Sequence, residues 1–346
     1  YYFYKTGTVV TDAIFNIGSF IDNSLPSQSI SPEYISYGLR DDLKNNPILL
    51  KEKQYTAYRT DTLPLVFAGN LSNNLKFKSD DPVYNQNLVL NSLTQTQGNV
   101  LTYSPKVAKI KVTDSELNQE KKKFTVTRTS DKEGSVTFTF DGLKPKETAY
   151  VQFGKDLMGF ADPLTTYHAT QDRNNKPELS ITINKKDVRL QPQVKQLIGV
   201  RANQKGQVQI KWSLAGNKRI LTSEIPRLVN INSTLLRSKV SQVNNKKQMH
   251  LTTFRDNYLS GKINTTKNEN LVTTIPYSRG WKVKVDGKPV KVSRTLNVFI
   301  GLNMKPGKHT VVMRYRTPGL LIGVITSIIG IIRSEEHTSE LQSRVS

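Results

Sequence analysis

The chain has 346 residues, enough for about two domains with sizeable cores. Hydrophobic residues make up 36% and the mean hydropathy is -0.47, which excludes a polytopic membrane bundle as the bulk of the chain. Lys and Arg number 50 against 28 Asp and Glu, and the resulting +22 suits an anionic partner such as nucleic acid, anionic lipid or an acidic wall polymer, while the lack of Cys excludes disulfides and thiol catalysis.

Residues 1–100 read as a mixed α/β, membrane-proximal region. The opening YYFYKTGTVV has no signal-peptide pattern. Val9, Val10, Ala13, Ile14, Ile17, Phe20 and Ile21 fall at helical spacing, which predicts a helix within Thr8–Ile21 capped by Thr11 or Asp12. Tyr34–Leu39 and Leu63–Ala68 read as short strands. Tyr84–Leu93, after the Asp80–Pro82 turn, reads as a second short helix.

Residues 101–222 alternate with period two in Ala108–Val112, Lys123–Thr129, Ser135–Phe140, Ala149–Phe153, Leu179–Ile183 and Val208–Trp212. Charged or Gly-containing turns separate most of these runs, so a β-sandwich is expected. Residues 223–247 are expected to be helical. Leu228, Ile231, Leu235, Val240 and Val243 form an approximate stripe, with Asn232 or Ser233 available as a cap.

Residues 248–317 read as a terminal β-unit. His250–Phe254 and Leu259–Asn264 flank a turn at Asp256–Asn257, and Leu271–Tyr277 follows. Trp281, Val283 and Val285 share one face, opposite Lys282 and Lys284, so Trp281 is expected in the core. Asp286-Gly287 between alternating runs predicts a type I′ hairpin, because both central residues of that turn need positive φ. Val290 and Val292 continue the inner face. Lys305–Lys308 is a second turn, before a strand through Val311, Met313 and Tyr315.

Residues 318–332 contain Gly319–Ile332, fourteen residues without charge. At 1.5 Å per residue they cover roughly 21 Å, short of a ~30 Å bilayer core. They read as the start of a C-terminal transmembrane helix, with Arg314 and Arg316 at its entry and the terminal β-unit resting on the membrane. In residues 333–346, RSEEHTSELQS resembles a sequencing adapter translated in one frame. That stretch is read as an artefactual tail that packs against nothing.

No motif assembles a catalytic, cofactor or metal site. The four His, at 168, 250, 309 and 337, share no metal-ligand spacing. Lys5-Thr6-Gly7 lacks the S-x-x-K and S-D-N partners of a penicillin-binding site, and a turn explains it better. Asp41-Asp42 and Asp80-Asp81 are adjacent carboxylates, which diverge on any regular element and so do not converge on a substrate. Trp281 with Tyr277 could form a sugar platform, but Trp281 is in phase with the core valines. The lysines at 121–123, 185–186 and 246–247 lie among Asn and Gln without aromatic interleaving and read as solvated turns, not a nucleic-acid interface. Asn70, Asn232 and Asn264 match a glycosylation sequon that an Asn-rich chain produces readily.

The block from Ile275 to Val292, IPYSRGWKVKVDGKPVKV, continues as NVFIGLNMKPGKHTVVMRYRTPG from Asn297 to Gly319 and ends in the apolar run. It resembles the C-terminal end of the YfhO-like bacterial membrane proteins. Leu63–Phe67 and Asp80–Leu93 agree in order and spacing. The resemblance implies a polytopic protein of the GT-C glycosyltransferase type, which adds sugars to lipoteichoic acid or another wall polymer from a polyprenyl-phosphate sugar. It places this region outside the bacterial cell membrane. It also implies a catalytic carboxylate in an early loop of a membrane domain that these residues do not contain. The partners it implies are that domain, the lipid bilayer and an anionic wall polymer, with no cofactor. The alternative is a membrane-anchored wall adhesin or carbohydrate-binding surface protein.

Overall fold

The computed structural model describes residues 7–23, 40–53, 55–70, 74–105, 108–154, 179–188, 195–267, 269–296 and 298–343, with side chains as far as Arg333. The expected strand at Tyr34–Leu39 lies outside them. The fold is mainly β with some α. It divides into two compact units, Tyr1–Leu63 with Leu75–Gln242, and Pro64–Asn74 with Val243–Ser346.

The first unit begins with a short helix, Val9–Ile14. Its cap is Thr8, not Thr11 or Asp12: the Thr8 hydroxyl accepts from the Thr11 N–H while the Thr8 N–H donates to the Thr11 hydroxyl. The helix stops because Asn16 adopts a left-handed φ of 55°. Phe20 and Ile21, expected on the helix, instead sit on the strand Ser19–Asn23. The second helix, Pro82–Thr94, lies where it was expected. Asp81 caps it by accepting from the Tyr84 N–H, Pro82 opens it, and Gln95 at φ 56° closes it.

Three antiparallel sheets of this unit share one core. One runs in the order Gln196–Arg201, Thr148–Phe153, Arg227–Ile231, Leu101–Tyr103. A second runs Lys186–Asp187, Leu179–Ile183, Val208–Leu214, Gly134–Phe140, Lys109–Thr113, and a third Ile220–Glu224, Lys123–Arg128, Ser115–Glu120. Their inward residues meet around the fully buried Trp212, whose ring makes edge contacts with Phe124 and Phe138 at 5.4 Å and Phe153 at 5.8 Å. This is the packing expected of a sandwich. Arg227–Ile231, placed in a helical segment by its spacing, is a central strand with Leu228 and Val229 buried. The helix starts only at Ser233, after Asn232 accepts from the Leu235 N–H.

The second unit pairs two antiparallel sheets. One orders His250–Arg255, Tyr258–Thr265, Gly307–Tyr315, Trp281–Val285, Lys288–Val290; the other orders Ser293–Thr295, Phe299–Leu302, Asn270–Pro276, Val66–Gly69. Val66, Ala68, Leu271, Ile300 and Leu302 of the second sheet pack with Leu259, Ile263, Val283, Val311 and Met313 of the first. Asp286 at φ 51° and Gly287 at φ 79° form the expected turn. Lys282 and Lys284 are exposed and Val283 is buried. Trp281 shares the Val283 face but lies half-buried at the margin of the core, its ring 5.3 Å from that of Tyr315.

The final helix is Leu320–Ser343. Among the described residues no helix is long and apolar enough to cross a membrane. The expected transmembrane helix over 318–332 is therefore only an apolar half-helix: Arg333, Glu335 and Glu336 follow after fourteen uncharged residues.

Candidate functional site

The most exposed apolar element is the first part of the last helix. Gly319, at φ 80°, turns the chain from the Gly307–Tyr315 strand into it. Leu320, Leu321, Ile322, Val324, Ile325, Ile328, Ile329, Ile331 and Ile332 are all exposed, Leu321 to 74%. A Cβ built on Gly323 or Gly330 would meet no atom within 4 Å, so no other element approaches the helix there. The Thr326 hydroxyl bonds back to the Ile322 and Gly323 carbonyls at 3.1 and 3.0 Å. The helix thus presents hydrocarbon on every side, with that hydroxyl already satisfied, and Arg314 and Arg316 are exposed at its root.

The charged centre of the first unit is buried. Arg40 forms an ion pair with Asp12, and its Nε lies 3.0 Å from Asp42 Oδ1. Tyr150 donates its hydroxyl to Asp42 Oδ2 at 2.8 Å and accepts from the Val9 N–H at 2.8 Å. Both carboxylate side chains are wholly buried. Burial works against the guanidinium, but Asp42 and Asp12 outweigh it and hold the Arg40 pKa up. Burial and the Asp42 charge push the Tyr150 phenol well above its ordinary range. A Cβ on Gly199 would lie 2.2 Å from Asp42 Oδ1, so only glycine admits the carboxylate. The group ties the first helix, the 3-10 turn Asp41–Leu43 and the Thr148–Phe153 strand together, and its bonds leave it structural.

Two more polar nodes were not foreseen. Lys239 is buried, and its Nζ donates to Asn91 Oδ1, Thr96 Oγ1 and the Gln97 carbonyl at 2.7–2.8 Å. Three neutral acceptors match its three donors, and burial lowers its pKa. In the second unit, His309 Nδ1 lies 2.7 Å from Asp286 Oδ2 and Nε2 lies 2.8 Å from the Lys305 carbonyl. Two acceptors call for two ring protons, so the imidazolium is favoured. The Asp286 hydrogen bond raises the His309 pKa, burial opposing. No spacing signal marks Arg40, Lys239 or His309, because Arg40 joins the nearby Asp42 to Asp12, 28 residues away, Lys239 reaches acceptors more than 140 residues away, and Asp286 lies 23 residues from His309.

Several residues of the motifs weighed in the sequence have structural partners. Asp41 pairs with Lys186 at 2.7 Å while Asp42 turns inward to Arg40, so the adjacent carboxylates do diverge. Asp81 is the helix cap and accepts from the Tyr103 hydroxyl at 3.1 Å. Tyr277 lies under the Arg294 guanidinium, 4.5 Å from the ring centre, while the Trp281 ring lies 5.3 Å from that of Tyr315. Lys121 and Lys185 occupy left-handed turn positions, and Lys247 pairs with Glu269 at 3.3 Å. Asn232 serves as a helix cap. Lys5, Thr6, His168 and the side chain of His337 lie outside the described residues. Among the described residues no cluster of three His, Asp or Glu could hold a metal ion.

A family model described as "Bacterial membrane protein YfhO" matches residues 1–327. The chain belongs to the YfhO family. It is also similar to "Uncharacterized protein YfhO" of Bacillus subtilis (strain 168), at 28% identity over 76 residues. That alignment covers 22% of this chain and 9% of the Bacillus protein, so the match spans less than a tenth of that relative. In this YfhO chain the exposed helix is consistent with a bacterial membrane protein: its hydrocarbon surface has no protein cover among the described residues.

Proposed function

We propose that these residues form the extracytoplasmic accessory region of a polytopic membrane glycosyltransferase. The whole protein adds sugars to lipoteichoic acid or another wall polymer from a polyprenyl-phosphate sugar. This region lies on the outer face of the bacterial cell membrane, holds the polymeric acceptor near the bilayer and has no activity of its own. Its partners are the membrane domain of the same protein, the bilayer and an anionic wall polymer.

The observation that carries this reading is the exposed apolar helix in a member of a membrane-protein family. In the proposal Gly319–Ile332 enters the bilayer and anchors the terminal β-unit at its surface. The +22 charge supports the acceptor role, because a cationic surface concentrates a polyphosphate chain nearby.

These residues contain no Cys, so a thiol introduced here is read against the unsubstituted whole protein as control. Lys132 is exposed on a turn, so Lys132→Cys in the whole protein should react with a membrane-impermeant maleimide in intact cells. Reaction only after lysis would overturn the extracytoplasmic placement. The acceptor role is tested by titrating the chain with lipoteichoic acid at low and high salt. Binding should weaken steeply with salt, since exposed charges are screened over about 8 Å at physiological ionic strength. No binding at low salt would remove the acceptor role. Wall-polymer glycosylation unchanged in a deletion strain, with surface attachment lost, would favour the adhesin instead.

A further inference from the structure

The three-stranded sheet of the first unit has one braced face and one bare face. Its strands run in the order Ser19–Asn23, Tyr55–Arg59, Ile48–Lys51, all antiparallel. On the inner face the Arg40 guanidinium lies over the Phe20 ring at 4.8 Å. Lys44 lies over the Tyr58 ring at 5.1 Å and pairs with Asp22. On the outer face Ile21, Ala57 and Leu50 line up across the three strands, with Tyr55 two residues from Ala57. Ile21 is 65% exposed, Leu50 55% and Tyr55 44%.

We propose that this bare face is a membrane-contact surface of its own, which inserts Ile21, Leu50 and Tyr55 into the headgroup boundary of an anionic bilayer. The edge strand decides between a lipid and a protein occupant. Ile48, Leu49 and Leu50 are consecutive and each more than half exposed, with a bulge at Leu49. The register sets Ile48 opposite Tyr58 on the inner face and Leu50 opposite Ala57 on the outer one, so a rigid partner on one face would leave the other in water. A fluid apolar medium surrounds both. The charges agree with an anionic surface. Lys51 and Lys53 flank the hairpin tip and Arg59 ends the central strand, all exposed and without an ion pair among the described residues. Glu52 is the acid at that tip, so the excess is positive. Lysine stems lie along hydrocarbon while their ammonium groups reach phosphate, and basic residues beside an apolar face are what an interfacial segment requires. The braced inner face supplies a rigid support, so insertion needs no refolding. The inference rests on the membrane location in the proposed function but not on the last helix.

Leu50→Cys in the full chain, labelled with an environment-sensitive fluorophore, reads the insertion, because no other thiol is present. Its emission should shift to the blue on adding phosphatidylcholine vesicles containing a quarter phosphatidylglycerol, while a label at Lys132→Cys stays unchanged. A label at Ile325→Cys reads the helix separately. A shift at 325 with none at 50 overturns this inference and leaves the helix reading standing; a shift at 50 alone supports it and removes the helix reading. An equal shift with pure phosphatidylcholine overturns the commitment to an anionic surface. A shift without vesicles that grows with protein concentration assigns the face to a second copy and also overturns the proposal. The double variant Ile21→Asp with Leu50→Asp should keep its melting temperature and lose about tenfold in partitioning to the anionic vesicles. Unchanged partitioning would count against the proposal.

Discussion

Replacing Arg40 by Met would strip two buried carboxylates of their counterion at once. Breaking a buried pair by removing one partner costs about 3–5 kcal/mol, and here Asp12 and Asp42 both lose theirs. Arg40→Met should therefore lower the unfolding free energy of the first unit by that order, read as a lower urea midpoint, and an unchanged midpoint would deny the network its structural role. A second residue-scale effect is pH-dependent. His309 gains its bonds to Asp286 and the Lys305 carbonyl only in the fold, which raises its pKa above 6.5, while the His309 and Thr310 N–H bonds to Asp286 lower the pKa of that carboxylate below 3.8. A raised histidine stabilises fully below its unfolded pKa and less as pH rises through the folded one. A lowered carboxylate stabilises above its unfolded pKa and less as pH falls through the folded one. The two turns that this pair joins should be most stable between about pH 4 and 6.5. Melting temperatures of the native chain and His309→Gln should converge above neutral pH; a constant gap from pH 5 to 9 would refute the assignment. The sequence carried the residues of both nodes but not their pairing. Asp286 was legible as a turn residue, because positive φ is a local requirement, whereas its partner His309 lies 23 residues on.

At the scale of elements, legibility followed how local the cause was. The strands around Trp212 and Val283 declared themselves by alternation, since one face is buried and the other wet. Pro82–Thr94 did so through Asp81 and Pro82. Arg227–Ile231 did not. Leu228 and Ile231 fit a helical stripe running into the true helix, and only the sheet neighbours Thr148–Phe153 and Leu101–Tyr103 make the segment extended. The first helix was overextended because Asn16 ends it by a backbone conformation that its apolar spacing hides. The last helix carries an element-scale prediction. Its first half contacts no other element at Gly323 or Gly330, so removing residues 319–346 should leave the melting temperature within about 1 °C while weakening the chain's partitioning to lipid vesicles. A large drop in melting temperature would mean that the helix packs on the second unit, and would leave the anchor without its motivation.

At the scale of the whole molecule, the division into units is the feature least visible in the sequence. Val66–Gly69 lies among first-unit residues in the chain, yet it pairs with Asn270–Pro276, with Val66 opposite Thr273 and Gly69 opposite Asn270. Four small or apolar residues give a strand signal, but nothing local records a partner about two hundred residues away. The two tryptophans fall one to each unit, and that makes the division measurable. Trp281→Ala leaves Trp212 as the sole indole, so fluorescence then reports only the Phe124, Phe138 and Phe153 core. Truncating a fully buried Trp costs about 3–5 kcal/mol; Trp281 is half-buried, packed on Tyr315 and the margin of its core, and its loss should cost about 2 kcal/mol. Set against Trp281→Phe, the Ala variant should therefore show an earlier partial loss of far-ultraviolet circular dichroism in urea. Its Trp212 fluorescence midpoint should stay put, because Trp212 and Trp281 belong to the cores of separate compact units. Both signals moving together would mean that the units unfold as one. Neither moving, with sugar or polymer binding lost, would make Trp281 a surface recognition residue, contrary to its place on the Val283 face.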